Sequence, residues 1–115
     1  MTKPTIIQLS EFDITQKIIE SLSNVCTRAV LFSIKDQSKE ATQISNDLKI
    51  SLSTVYKTLS TLEGLALAEV DKYVISAEGK KIKIYRSRIG KVEITLDNLE
   101  PTLNLYSNTS NPKSS

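Results

Sequence analysis

Residues 40–65 read EATQISNDLKISLSTVYKTLSTLEGL, a stretch that leaves little choice of local structure. Ala41, Ile44 and Leu48 recur at helical spacing, and Leu52, Val55, Leu59 and Leu62 do so again a few residues later. Lys49 and Ile50 leave room only for a tight turn, after which Ser51 is a good N-cap for a helix over residues 52–63. Ser45 is small enough to let that helix approach the first closely. Gly64 reads as the left-handed residue that ends it. Two such short helices are marginal in isolation, so their apolar stripes must meet a shared core.

The chain upstream can supply that core. Residues 1–9 read as a lead-in with an extended piece at 5–9. Ser10 followed by Asp13 resembles a capping box opening a helix over 11–22. Phe12, Ile18, Ile19 and Leu22 give that helix an apolar stripe, which either completes the monomer's core or forms a two-fold interface. A helix over 24–35 follows, with Val25, Ala29, Val30, Leu31, Phe32 and Ile34 around much of its circumference, the pattern of a buried central helix. Polar residues 36–39 form a loop, and Ser38 is placed to cap the helix over 40–48.

Downstream the period changes from helical towards two. Residues 70–75 read as a strand, 76–79 as a turn, and 80–88 as an antiparallel partner in which Ile82 and Ile84 alternate with Lys81, Lys83 and Tyr85. The expected hairpin has Ile82 and Ile84 on a core face and the lysines on a basic face. Residues 91–96 alternate again as a third strand, Pro101 interrupts any long terminal helix, Leu99, Leu103 and Leu105 pack locally, and residues 106–115 read as a disordered tail. The predicted fold is α+β, mostly α: a winged helix-turn-helix with a three-helix core, a β-hairpin wing and an extra N-terminal helix. Its expected divisions are an N-terminal extension over 1–23, the winged domain over 24–96, and a short C-terminal segment over 97–115.

Composition narrows the chemistry. The 115 residues contain no His and one Cys, and the three glycines are too scattered for a phosphate-binding loop. A Ser-His-Asp set is impossible, and too few soft ligands exist for a Cys/His metal centre. The pairs Asp13/Glu20 and Glu69/Asp71 read as solvated surface charge, so no enzyme activity, cofactor or metal is expected. Neither a membrane span nor a signal peptide is evident, and the lone Cys26 reads as a small buried hydrophobe, so a reducing cytoplasm is the expected location.

What remains is binding. On the helix over 52–63 the face opposite the leucines carries Ser53, Thr54, Tyr56, Lys57, Ser60 and Thr61, with no acid before Glu63. Ser and Thr hydroxyls bond base edges or phosphates, Lys57 suits a phosphate or a guanine edge, and Tyr56 a phosphate or a stacked ring. Five Ser/Thr residues in the twelve positions after the Ser51 cap are costly for a helix and call for a reason. Charge is partitioned as well: residues 1–48 sum to −1, residues 49–91 to +5, and residues 92–115 to −2, within a net charge of +2. Lys80, Lys81 and Lys83 place cations on the expected wing over 76–83. Arg86 falls by alternation on the face of Ile82 and Ile84.

The block ATQISNDLKISLSTVYKTLSTLEGLALAEV resembles the helix-turn-helix of ArsR-like winged-helix transcription regulators, particularly archaeal ones. TRAVLFSI is similar to their first core helix, and KKIKIYRSRIGKVEI to their second wing strand and closing strand. The resemblance, over about residues 24–96, implies a homodimeric regulator binding double-stranded DNA through Ser53, Thr54, Tyr56, Lys57 and Ser60, and the Ser51 cap is expected to be a DNA-binding residue beside them. Three departures stand out. Lys49 occupies a turn position where such proteins often have Gly, and a left-handed Lys costs about 1 kcal/mol. The Cys motif that binds metal is absent, and so is a long C-terminal dimerisation helix. The competing expectation is a winged-helix module that binds protein within a larger transcription-related assembly, with Tyr56 and Tyr85 as its apolar contacts.

Overall fold

The computed structural model of the protein describes the backbone of residues 6–109, with side chains described from Ile14 onward. Four helices precede four strands: α1 (Ile6–Ser23), α2 (Val25–Ser33), α3 (Ala41–Leu48), α4 (Leu52–Gly64), β1 (Ala68–Ile75), β2 (Lys81–Ser87), β3 (Ile89–Thr95) and β4 (Thr102–Ser107). α1 begins at Ile6, so residues 6–9 are helical rather than extended and Ser10 lies inside the helix instead of capping it. Asn24 separates α1 from α2 and caps the latter, its side-chain oxygen accepting from Thr27 N at 3.1 Å.

The core collects one face from each helix and the roots of the strands. Val30, Leu31 and Ile34 of α2 and its C-cap, Ala41 and Ile44 of α3, and Val55, Leu59 and Leu62 of α4 are buried together with Leu67, Ala68, Tyr85 and Ile89. Ile18 and Leu22 of α1 are also buried there, so these two complete the monomer's core, while Ile19 is half-buried. Phe12, the fourth residue of that stripe, lies outside the described side chains. Cys26 is half-buried on α2.

The helix ends show where local sequence and tertiary structure agree. Ser51 caps α4 as expected, accepting from Thr54 N at 3.2 Å. Lys49 is left-handed, with φ 56°, and the Ile50 amide bonds back to Ser45 O at 3.2 Å to close α3. The Ser45 hydroxyl completes that turn by donating to Ile50 O at 2.6 Å. At the end of α4 the left-handed residue is Ala66, with φ 60°, not Gly64, which is the last helical residue. Ala66 N bonds Glu63 O and Leu67 N bonds Leu62 O, each at 2.9 Å, so the apolar Leu62–Leu67 contact in the core fixes the turn's position by packing. Ser38 is not the cap of α3. Glu40 occupies that position without a side-chain cap bond, and the Ser38 hydroxyl instead donates to Asp71 Oδ2 at 2.9 Å.

β1 and β2 form the wing, an antiparallel hairpin whose register shifts between Val70 and Lys72. Gly79, with φ 81°, closes the turn through Gly79 N to Ser76 O at 2.9 Å. On the far edge of β2, Lys39 and Tyr85 exchange both backbone hydrogen bonds, at 3.0 and 2.8 Å, so the chain before α3 adds one bridge to the sheet. β3 and β4 pair with each other in a separate antiparallel hairpin. Tyr106 and Ser107 are therefore strand residues rather than tail, because alternating Leu103 and Leu105 give residues 102–107 a strand pattern that pairs with β3. The rest of the expected tail, residues 110–115, lies outside the described residues. The fold is a winged helix with an added N-terminal helix and this second hairpin, which raises the strand content above a mostly helical chain.

Candidate nucleic-acid interface

α4 is held with Val55, Leu59 and Leu62 inward, which leaves Ser53, Tyr56, Lys57 and Ser60 exposed at i, i+3, i+4 and i+7. These four form a single stripe along the helix, and Tyr56 is 53% exposed. Ser51 and Thr54 sit at its N-terminal end, but their hydroxyls are already joined to each other at 2.7 Å, with Ser53 Oγ 3.3 Å from Ser51 Oγ. The cap thus orders the first turn and holds three hydroxyls in one cluster at the end where backbone amides point outward. Thr61 turns its hydroxyl back to Lys57 O at 3.2 Å, a bond internal to the helix.

The wing's faces differ from the alternation expected. Register pairs Val70 with Tyr85, Tyr73 with Lys83, Val74 with Ile82 and Ile75 with Lys81. In β2 the buried residues are Tyr85 and Ser87, which share their side of the strand with Lys81 and Lys83; Ile82 and Ile84 on the other side are only half-buried. The root of the lysine face is therefore the core face, and its outer half extends beyond the body into solvent. Alternation cannot reveal this, because it fixes which residues share a side but not which side meets the helices. Lys80, Lys81 and Lys83 are all exposed. The Lys81 ammonium lies 4.2 Å from the centre of the Tyr73 ring, so an aromatic plane supports the cation. Tyr73 is a member of this surface that the one-dimensional pattern missed, since the register shift decides its side.

Arg86 and Arg88 belong elsewhere. Arg86 is mostly buried, with its guanidinium 3.6 Å from Glu69, and Arg88 lies 3.9 Å from the same carboxylate. Tyr85 is 5% exposed, which removes it as an apolar contact for a protein partner. Burial raises its phenol's pKa above 10.0, and Glu63, Tyr56 and Tyr73 push it the same way. Those neighbours come from α4 and β1, so Tyr85 links the exposed helix to the wing.

Two residues outside the sequence reading set the geometry behind this surface. Ser87, fully buried, donates from its amide to Ile34 O at 3.0 Å, and its hydroxyl bonds both backbone groups of Ile89. Asn108 donates through its side-chain amide to Lys35 O at 2.8 Å and to Ser87 O at 2.9 Å. Among the described residues no group of three or more His, Cys, Asp or Glu is placed to hold a metal ion. No described helix is long and apolar enough to cross a membrane.

The architecture is similar to that in the crystal structure of NolR from Sinorhizobium fredii, with a TM-score of 0.58 at 18% sequence identity over 76% of this chain and 81% of that one. No protein-family model matches the sequence, and no curated protein matches it.

Proposed function

We propose that this chain is a sequence-specific DNA-binding transcription regulator of ArsR-like type, acting as a cytoplasmic homodimer. α4 enters the major groove with Ser53, Thr54, Tyr56, Lys57 and Ser60, while Ser51 orders the first turn and bonds a phosphate. The wing grips flanking backbone through Lys80, Lys81 and Lys83. The observation that carries this reading is the acid-free stripe Ser53–Tyr56–Lys57–Ser60 on an exposed helix, in the part of the chain that holds a charge of +5. The likeness to NolR, a winged-helix transcription regulator, supports it at the level of fold. A role as a protein-binding winged-helix module is the second reading. Its apolar surface would be Tyr73, Val74 and Ile75 on β1, which are 50%, 39% and 68% exposed.

Selection from a random duplex pool, followed by salt-titrated binding of the enriched sequence, tests the proposal. Enriched palindromes with affinity falling steeply as salt rises are expected. No enrichment, or binding unchanged by Lys57→Ala with Lys81→Ala, would reject it and favour the protein-binding module.

A further inference from the structure

The β3–β4 hairpin is an arm whose apolar face lacks a cover among the described residues. Cross-strand pairing places Val92 opposite Leu105 and Ile94 opposite Leu103, and alternation adds Leu96 to that face. The other face carries Lys91, Glu93, Thr95, Thr102, Asn104 and Tyr106. That polar face is internally satisfied: Tyr106 donates to Glu93 at 2.6 Å, and the Lys91 ammonium lies 3.4 Å from Glu93. The apolar face is not. Val92 and Leu103 touch the core, but Ile94 and Leu105 are 42% and 39% exposed, and Leu96 and Leu99 towards the tip are 74% and 95% exposed. The molecule measures 62 × 23 × 23 Å, elongated for a chain of this size. A two-stranded hairpin is marginal in water unless its apolar face packs on something.

We infer that this face is covered by the same face of a second copy, the two arms crossing antiparallel about a two-fold axis. This rests on the homodimer reading above and assigns its interface. An apolar strip is complementary to itself, as an isologous contact requires. The exposed side chains Ile94, Leu96, Leu99 and Leu105 offer on the order of 500 Å² per copy, a large part of the ~800 Å² per partner of a standard interface. Charge selects the occupant and the direction. Asp97 and Glu100 make the tip acidic, and no basic residue lies between Lys91 and Lys113, so the arm repels DNA and repels another tip. Antiparallel crossing sets the two acidic tips apart, each lying towards the partner's arm base.

Sedimentation equilibrium on the full chain tests the assignment. A dimer is expected whose Kd rises about tenfold or more in Leu96→Asp with Leu99→Asp, which removes apolar contact and adds repulsion between the copies. Both side chains are exposed near the arm's tip, so the monomer fold is retained, which circular dichroism checks. Leu96→Ser with Leu99→Ser should weaken the dimer likewise. A wild-type chain that is monomeric at every concentration overturns both this interface and the homodimer reading. A dimer indifferent to the leucine variants overturns the interface alone and leaves the homodimer reading standing.

Discussion

The side-chain amide of Asn108 bonds the backbone carbonyl of Lys35 at 2.8 Å, across 73 residues of sequence. With its second bond to Ser87 O, it ties the end of β4 to the loop after α2 and to the end of β2. Asn108→Ala should cost about 1–2 kcal/mol, since two part-buried carbonyls lose a donor. Urea unfolding measures the loss, and amide hydrogen exchange should show it concentrated in β3 and β4.

Ala66 holds a left-handed backbone that suits glycine, and it is exposed. Ala66→Gly should therefore stabilise the protein by up to about 1 kcal/mol, the removed strain being partly offset by the greater entropy of the unfolded chain. An increase in the urea midpoint without a change in slope is the expected result.

Ser51→Ala removes the cap of α4 and the hydroxyl cluster built on it. A stability loss of about 1 kcal/mol is expected. If the stripe on α4 reads DNA, affinity should fall as well, because the first turn loses its order. Ser51→Asp restores the cap and should recover stability while still weakening DNA binding through its negative charge. Unfolding and binding measured on the same samples separate the two effects.

Replacing Lys81 and Lys83 by Ala should lower DNA affinity and reduce the slope of log K against log salt by about 0.9 for each phosphate no longer neutralised. Sequence preference should change little, since backbone contacts carry no base information. Lys57→Ala, in contrast, is expected to alter the preferred sequence.

The Tyr106–Glu93 hydrogen bond gives the β3–β4 arm a pH signature. That bond, with help from Lys91, holds the Glu93 pKa below 4.5, so its stabilisation is present above the unfolded value and fades as pH falls through the lowered folded value. Tyr106 is raised above 10.0 by the same bond, so its contribution is full below the unfolded value and fades as pH rises through the folded one. The arm should be firmest from about pH 5 to pH 9. Ultraviolet titration of the phenols, comparing wild type with Glu93→Gln, should show one tyrosine returning towards its ordinary value.

Legibility of the sequence followed the range of the interactions. α2, α3 and α4 were readable because each carries a complete apolar stripe, and the Ser51 cap is a local bond. Ala66 was not readable, since its conformation follows from where Leu62 and Leu67 enter the core. The wing's existence was plain from alternation, but its orientation depended on Tyr85 bridging Lys39 and packing inward. β4 was hidden because Pro101 and a polar terminal composition masked an alternation that only makes sense opposite β3. On the candidate interface, Lys80, Lys81 and Lys83 and the stripe on α4 were readable as exposed surface, whereas Tyr73 depended on a register shift in another part of its strand.

That shift, at Asp71, sets the polarity of the wing. One extra residue in β1 brings Tyr73 beside Lys83 and leaves Lys72 paired with Ile84. Pairing Asp71 into the ladder, opposite Ile84, would instead set Tyr73 opposite Ile82, sending it away from the lysines without altering the composition of the wing. The chemistry offered there is a matter of register: closing the bulge by pairing Asp71 should change it more severely than most substitutions.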